Sequence, residues 1–237
     1  MPADRLERMQ ALLSADGEAG PTTRGLAEAS AQLTRMSGAG IMLMWGDVQQ
    51  GSVAVTDDVA GVIEELQYTL GEGPCVDAYR LDHPVLEADL ASPERAARWS
   101  AFGPAAVEAG AIFGFPLRVG SVRLGALNLY RDRPGPLDDD QHADALVAAE
   151  VLCRALLAMQ ARALPGAVSV ELAADADFGL IVHQAAGMVS VQLSVNVAEG
   201  LVRLRAYGFA TGQLVGGVAA EVVAGRLRFD TTDPSPA

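Results

Sequence analysis

Lysine is absent from this sequence. All 17 basic residues among its 237 are arginines, and 30 acidic residues leave a net charge of -13. A chain this acidic does not coat nucleic acid non-specifically, because such binding needs a basic field around the phosphates. Any nucleic-acid site must therefore be local and shape-selective.

Long apolar runs, cysteines and histidines are also missing or scarce. No apolar run is long enough to span a bilayer, and the charged, amphipathic start MPADRLERMQ is unlike a signal peptide. Cys75 and Cys153 lie far apart without metal-type spacing, which argues against a structural disulfide or a zinc site. Asp138 to Asp140, with His142 and Asp144, are better explained as the start of a helix. We therefore expect a cytoplasmic protein without a membrane segment, metal or cofactor.

What the sequence does contain is a core: 50% of its residues are hydrophobic, which excludes general disorder. Residues 1–20 form an amphipathic helical arm, and residues 21–163 mix helices with strands. Predicted elements in this region include helices at 23–36, from Asp57 or Asp58 to Gln67, and around 99–109, and strands at 41–45, 52–56, 85–87, 111–119 and 122–130. Gly120 and Ser121 make a tight turn between the last two strands. This pattern indicates an α+β domain with an antiparallel sheet and flanking helices.

The segment from Leu137 to Ala163 lacks glycine and proline, which predicts a long helix at the end of this domain. Six residues follow the alternating steps of three and four that mark a heptad seam: Leu146, Ala149, Cys153, Leu156, Gln160 and Ala163. Two interpretations remain open. With the N-terminal arm, the helix forms a dimeric four-helix bundle, or it packs on its own sheet.

A compact helical tail follows a linker at 164–176. The tail is predicted to contain three helices, from Asp177 to Leu193, from Asn196 or Val197 to Thr211, and from Leu214 to about Arg226. A buried stripe is predicted along the second of them, at Val197, Leu201, Leu204 and Gly208. We place the domain itself at 177–230 and expect residues 231–237 to be disordered.

Three strings of the tail are IVHQAAGM from Ile181, AEGLVRLRA from Ala198, and Leu214 with VAAEVV from Val218. Together they resemble the ANTAR domain. Upstream, LGEGPCVDA from Leu70 and the order of strands and helices look like the GAF sensor domains that precede ANTAR in actinobacterial regulators. The resemblance implies an RNA-binding three-helix module that acts in transcription antitermination by gripping paired stem-loops.

Candidate site residues follow from this resemblance and from side-chain chemistry. Guanidinium and aromatic planes suit unstacked RNA bases and phosphates, and the candidates for RNA contact are His183, Gln184, Arg203, Arg205, Tyr207 and Arg226. GAF domains hold small ligands in a largely apolar cavity, and its candidate lining is Trp45, Tyr68, Cys75, Phe102, Phe113 and Phe115. Each of these residues has the plainer alternative of a solvated or core side chain.

The function expected is a signal-responsive antitermination regulator, without enzymatic activity. Its partners are RNA stem-loops in nascent transcripts, an unidentified small molecule and a second copy of the chain, because two hairpins require two modules. One alternative is a protein-interaction or small-molecule sensor module that does not bind RNA. Another is a GAF-fold thiol reductase that uses Cys75 as its nucleophile. No glycine-rich phosphate loop, GxSxG elbow or HExxH motif occurs.

Overall fold

A computed structural model describes residues 2–14, 21–45, 48–92, 98–106, 109–162 and 177–230. The expected linker at 164–176 and the expected tail at 231–237 lie outside these described residues. The chain divides into two compact units. The first comprises Met1–Gln67 and Gly71–Ala176, and the second comprises Tyr68–Leu70 and Asp177–Ala237.

Helices and strands are mixed up to residue 161, and the elements described at 177–230 are helices. In chain order the elements are α1 (Pro2–Ser14), α2 (Thr23–Thr34), β1 (Gly38–Trp45), β2 (Val48–Val55), α3 (Asp58–Leu70), α4 (Pro74–Leu81), β3 (Val85–Glu87), α5 (Phe102–Ala105), β4 (Ala111–Val119), β5 (Val122–Arg131), α6 (Asp139–Ala161), α7 (Asp177–Leu193), α8 (Val197–Thr211) and α9 (Val215–Val223). The strands form one five-stranded sheet in the order β2-β1-β5-β4-β3. Every neighbouring pair is antiparallel, which confirms the predicted α+β fold.

Polar side chains fix where the main helices begin. Asp57 accepts a hydrogen bond from the backbone N of Ala60 ahead of α3, and Asp138 forms a capping box with Gln141 ahead of α6. These bonds satisfy N–H groups that the first turn of a helix leaves without partners. The interpretation of Asp138 as a helix start is thereby confirmed.

One predicted helix is much shorter than expected. In place of a helix around 99–109, the described residues of this segment contain the four-residue α5. A helix that began at Trp99 would have Pro104 in its second turn, where proline has no N–H to donate to the carbonyl four residues earlier, and Gly103 has low helix propensity.

The main core lies on the face of the sheet covered by α2 and α6. Every second residue of β4 points into it, namely Ala111, Phe113, Phe115 and Leu117. The long helix contributes three of its predicted seam residues to this core, Ala149, Cys153 and Leu156. Leu146 is 47% exposed, Gln160 is exposed, and Ala163 lies outside the described residues. Half of the seam therefore packs on the protein's own sheet.

The N-terminal arm is held against this layer. Met9 of α1 is fully buried in the main core. Arg5 and Arg8 donate to the same oxygen of Asp144 on α6, with nitrogen to Oδ1 distances of 2.8 and 3.1 Å. An open groove of about 780 Å³ lies between α1, α2 and α6, and its lining includes these three charged residues.

The second unit contains the three predicted helices α7, α8 and α9. Asn196 accepts a hydrogen bond from the N of Glu199 and begins α8. The buried stripe of α8 includes Leu201, Leu204 and Gly208 as predicted, but Val197 is 51% exposed and Gly200 is buried in its place. A Cβ atom at Gly200 would lie 2.5 Å from the carbonyl oxygen of Ala186, so the two helices approach through this glycine.

Candidate functional site

The face of the sheet opposite the main core carries a row of three residues across three adjacent strands. Gly40 of β1 is paired with Asn128 of β5, and Asn128 is paired with Gly114 of β4. Asn128 is buried, at 2% exposure. Because glycine has no side chain, the two glycines leave the Asn128 amide as the one side chain of this row.

Two helices press onto the glycines of this row. A Cβ atom at Gly40 would lie 2.4 Å from Oε1 of Glu64 on α3. A Cβ atom at Gly114 would lie 2.5 Å from the carbonyl oxygen of Pro74 and 3.0 Å from the N of Cys75, at the start of α4. The row therefore brings α3 and α4 to within van der Waals distance of the strand backbones.

The buried stripe of α3 is partly polar. Ala60 and Ile63 follow helical spacing with Glu64 and Gln67, and all four are buried. Gln67 has a defined structural role, because its Oε1 accepts a hydrogen bond of 2.8 Å from the N of Cys75. This bond satisfies a first-turn N–H of α4, whose N-cap Gly73 offers no side chain.

Glu64 is the unusual member of this stripe. Its side chain is 1% exposed, and neither carboxylate oxygen has a hydrogen bond of normal geometry among the described residues. Burial raises the pKa of Glu64 to about 8, and the nearby amide of Asn128 offsets only part of this rise. Oδ1 of Asn128 likewise has no hydrogen-bond donor among the described residues. We call Glu64, Gln67, Cys75 and Asn128 the polar cluster.

Cys75 is the nucleophilic side chain of the cluster. It is fully buried, and burial together with the charge of Glu64 raises the pKa of its thiol well above the ordinary value. Nucleophilic cysteines need the opposite shift, since the thiolate is the reactive form. Its surroundings therefore favour an inert thiol.

Two carboxylates hold the segment 98–106 in place. Oε1 of Glu72 accepts hydrogen bonds of 2.8 Å from the backbone N of both Ala101 and Phe102. Asp77 of α4 accepts a bond of 3.0 Å from the indole N of Trp99. These bonds bury the rings of Trp99 and Phe102, whose centroids are 6.3 Å apart.

Five of the six residues predicted for a ligand cavity have described side chains, and these five are not gathered at one site. Phe113 and Phe115 point away from Gly114 into the main core. Cys75 belongs to the polar cluster, Phe102 packs edge-on against Trp99, and Tyr68 is fully buried and belongs to the second unit. The side chain of Trp45 lies outside the described residues.

The residues predicted to contact RNA lie on different parts of the second unit. Gln184 is exposed and His183 half-buried on α7. Arg203 forms an ion pair of 3.1 Å with Glu199 on α8, and one turn later Tyr207 packs edge-on against Phe229, with centroids 5.5 Å apart. Two other arginines complete the set: Arg205 is half-buried, and Arg226 is exposed with an ion pair to Glu221.

Sequence reasoning missed the polar residues of the cluster apart from Cys75. The signal was present, because Glu64 and Gln67 stand at apolar positions of a helical stripe that begins with Ala60. It also missed Phe209 on α8, which is 65% exposed.

Among the described residues, no group of three or more histidine, cysteine, aspartate or glutamate side chains is arranged to hold a metal ion. Within the same residues no single helix is long and apolar enough to cross a membrane; only Ile181–Leu193 with Val197–Thr211 reach that composition together, and these segments meet at 103°.

The GAF domain family model matches residues 22–149 of this chain. No curated protein matches this chain. Among solved structures, the chain is similar to a domain described as part of a two-component sensor histidine kinase protein of Sinorhizobium meliloti 1021. That pair has 22% identity and a TM-score of 0.45, over 57% of this chain and 89% of the other.

Two further structures are similar at lower identity. The GAF domain of an Acinetobacter phosphoenolpyruvate-protein phosphotransferase has 11% identity and a TM-score of 0.49, over 68% of this chain and 96% of that chain. The free methionine-R-sulfoxide reductase of Neisseria meningitidis, solved with its substrate, has 16% identity and a TM-score of 0.35, over 65% of this chain and 80% of that chain. Since the family model covers more than half of the 237 residues, the chain belongs to the GAF domain family, whose members are typically signal-sensing modules.

Proposed function

We propose that this protein is a signal-responsive regulator of transcription antitermination. In this proposal the GAF domain senses a small molecule, and the C-terminal three-helix unit binds RNA stem-loops in nascent transcripts. The protein acts as a cytoplasmic homodimer, so that two helical units reach two hairpins. It is a regulator and not an enzyme.

The polar cluster is the observation that supports the sensor role. Buried acceptor atoms are normally hydrogen-bonded, because leaving one without a donor costs about 1 to 3 kcal/mol. Glu64 and Asn128 together carry three buried acceptor oxygens in this condition. A bound molecule that supplied donors would remove this cost, and the domain would thereby respond to that molecule.

The RNA-binding role is supported by the resemblance of the tail to ANTAR and by the chemistry available on α8. Arg203 is exposed on this helix, where its guanidinium also pairs with Glu199. The unit from Asp177 onward has four arginines and five acidic residues, so it lacks the strong negative charge of the preceding part of the chain. A local RNA site is compatible with that balance.

One observation favours the alternative of a protein-interaction module. Val202 and Phe209 lie seven residues apart on α8 and are 54% and 65% exposed. This spacing puts both side chains on one face of the helix, and exposed apolar faces often contact a partner protein. For the thiol reductase alternative, the burial and raised pKa of Cys75 are unfavourable.

Crosslinking and sequencing of RNA bound in cells tests the proposed output. We compare the intact protein with Arg203→Ala and with the control Arg154→Ala. Both arginines are on helices, each with an ion pair to a glutamate four residues earlier. We use Arg203 alone, because Arg205 is half-buried and its removal would also disturb packing.

We expect paired stem-loops to be enriched with the intact protein and with Arg154→Ala, and to be lost with Arg203→Ala. In vitro, removal of one phosphate contact lowers the slope of log K against log salt by about 1. Absence of enrichment with the intact protein would contradict RNA binding and support the protein-interaction alternative.

A further inference from the structure

The polar cluster has an unusual balance of donors and acceptors. When the Glu64 carboxyl is ionised, Oε1 and Oε2 of Glu64 and Oδ1 of Asn128 are three acceptors without a hydrogen bond of normal geometry among the described residues, and the amide N of Gln67 is a donor within the same cluster. Gln67 already uses its own oxygen to cap α4. What the cluster lacks is therefore a group with several hydrogen-bond donors.

The cluster also lacks a positive charge. Glu64 takes part in no ion pair within the described part of the chain. The sequence contains no lysine, the residue that most readily supplies a compact ammonium group. The titratable side chain that faces Glu64 from α4 is Cys75, which bears no positive charge in either form. From β1 and β5 it faces Gly40 and the neutral amide of Asn128.

We propose that the polar cluster binds a small organic molecule through a protonated primary amine. A primary ammonium group carries three N–H donors and one positive charge, which matches the three open acceptors and the one unpaired carboxyl. This inference rests on the proposed sensor role, to which it adds the chemical class of the ligand.

The ammonium group would enter between α3 and β5 and bond both Glu64 and Asn128. Charge-assisted bonds of this kind are stronger than neutral ones and gain further from a dry surrounding. A cation without N–H groups would satisfy the charge but none of the acceptors. Selectivity for amines over other cations is therefore the property that separates this site from simple electrostatic attraction.

Titration of the full chain with methylammonium chloride tests the proposal, with tetramethylammonium chloride as the control of equal charge without N–H donors. Measurements are made above pH 8, where the Glu64 carboxyl is ionised. The readouts are the melting temperature and the NMR signal of the Glu64 side-chain carboxyl carbon. The NMR signal needs no variant, so the test does not depend on a substitution that folds.

We expect methylammonium to raise the melting temperature and shift the Glu64 signal, and tetramethylammonium to do neither. In Glu64→Gln, the dissociation constant of methylammonium should increase at least roughly tenfold, the effect of losing one charge-assisted bond. Equal responses to both cations, an unmoved Glu64 signal, or full retention of binding in Glu64→Gln would each overturn the proposal.

The outcomes also separate this inference from the proposed function. Stem-loop enrichment in cells without selective methylammonium binding would overturn the ligand class and leave the antitermination proposal standing. Selective methylammonium binding without stem-loop enrichment would support the amine site and contradict the RNA output.

Discussion

Glu64 lies directly over Gly40, so close that a Cβ atom at position 40 would be 2.4 Å from its Oε1. The glycine thus makes room for a buried carboxyl on a helix stripe that otherwise packs against the sheet. The stability of a core built around such a carboxyl must depend on whether that carboxyl is protonated.

Glu64 makes stability fall as pH rises. Its pKa is about 8 in the folded protein, against an ordinary value of 4.5 that we assign to the unfolded chain. Between these values the folded state holds a proton that the unfolded state has lost, so the free energy of unfolding decreases up to about pH 8 and is level above it. The cost accumulated by then is of the order of 5 kcal/mol.

Glu64→Gln removes this dependence. We expect the variant to be more stable than the natural protein near pH 8, with the difference shrinking toward zero as pH falls to about 4.5. Urea denaturation across this range measures the difference. Glu150→Gln, at a side chain 63% exposed, serves as the control and should keep the original slope. Parallel slopes in Glu64→Gln and the natural protein would contradict the assignment.

Gly114→Ala should destabilise the first unit, because the added methyl group meets the backbone of Pro74 and Cys75 at 2.5 and 3.0 Å. Backbone atoms at a helix start cannot move without displacing α4, and overpacking of this kind costs about 2 kcal/mol. Gly61→Ala is the matched control. Its nearest neighbour would be a methyl of Val55 at 4.0 Å, so the better helix propensity of alanine should add about 0.5 to 1 kcal/mol. Chemical denaturation of both variants measures the change in the free energy of unfolding, which should be negative for Gly114→Ala and positive for Gly61→Ala.

Cys75 should react slowly with iodoacetamide in the folded protein. Burial raises the pKa of its thiol, and each unit of that rise lowers the thiolate fraction tenfold. The measurement uses the Cys153→Ser variant, so that Cys75 is the one cysteine that iodoacetamide can alkylate. Burial raises the pKa of Cys153 as well, to about 11. We expect alkylation well over tenfold slower than in urea. Rapid alkylation without denaturant would revive the thiol reductase alternative.

Much of the element order was predictable because local signals agree with tertiary packing, but no helix was predicted where α4 (Pro74–Leu81) lies. Asp57 and Asp138 precede apolar helical patterns, and each begins a helix. The turn at Gly120 and Ser121 joins β4 and β5 as expected. In contrast, the six proposed cavity residues were chosen by residue type. Side chains alternate between the two faces of β4, and this alternation points two of the six, Phe113 and Phe115, into the main core.

The polar cluster depends on information that a single sequence does not contain. Asn128 stands in a strand with apolar residues on both sides, so a period of two does not reveal which face it occupies. Its position between Gly40 and Gly114 follows from strand register, and β1 and β2 contain register shifts that no local pattern indicates. The long helix is similar, since small and apolar residues around much of its circumference fit more than one seam.

The N-terminal arm should be released when Asp144 is changed to Asn. Asp144 has a side chain 3% exposed and accepts part-buried hydrogen bonds from Arg5 and Arg8, and loss of a hydrogen bond between charged groups costs about 1.5 to 3 kcal/mol. We expect amide hydrogen exchange in α1 to accelerate more than tenfold, while β4 stays protected. Asp140→Asn is the control, because Asp140 also contacts Arg5 but is 76% exposed, and exposed pairs contribute about 0 to 1 kcal/mol. Equal acceleration in both variants would contradict a specific role for Asp144.

Gly200 allows α8 to approach α7, and Gly200→Ala should force them apart. The added Cβ atom would lie 2.5 Å from the carbonyl oxygen of Ala186 and 3.2 Å from the N of Ser190, both backbone atoms of α7. We expect the second unit to lose about 2 kcal/mol of stability. Gly187→Ala, where the new methyl group meets nothing within 4 Å, should gain about 0.5 to 1 kcal/mol. Amide exchange in α7 and α8 measures both changes.

The same pair of variants bears on the proposed RNA output. Arg203 is presented from α8, so its placement relative to α7 depends on the contact at Gly200. If RNA is gripped by both helices, Gly200→Ala should weaken stem-loop binding at temperatures where the unit is still folded, and Gly187→Ala should not. Undiminished binding by folded Gly200→Ala would mean that α8 contacts RNA alone. His183 and Gln184 on α7 would then no longer be candidates for RNA contact.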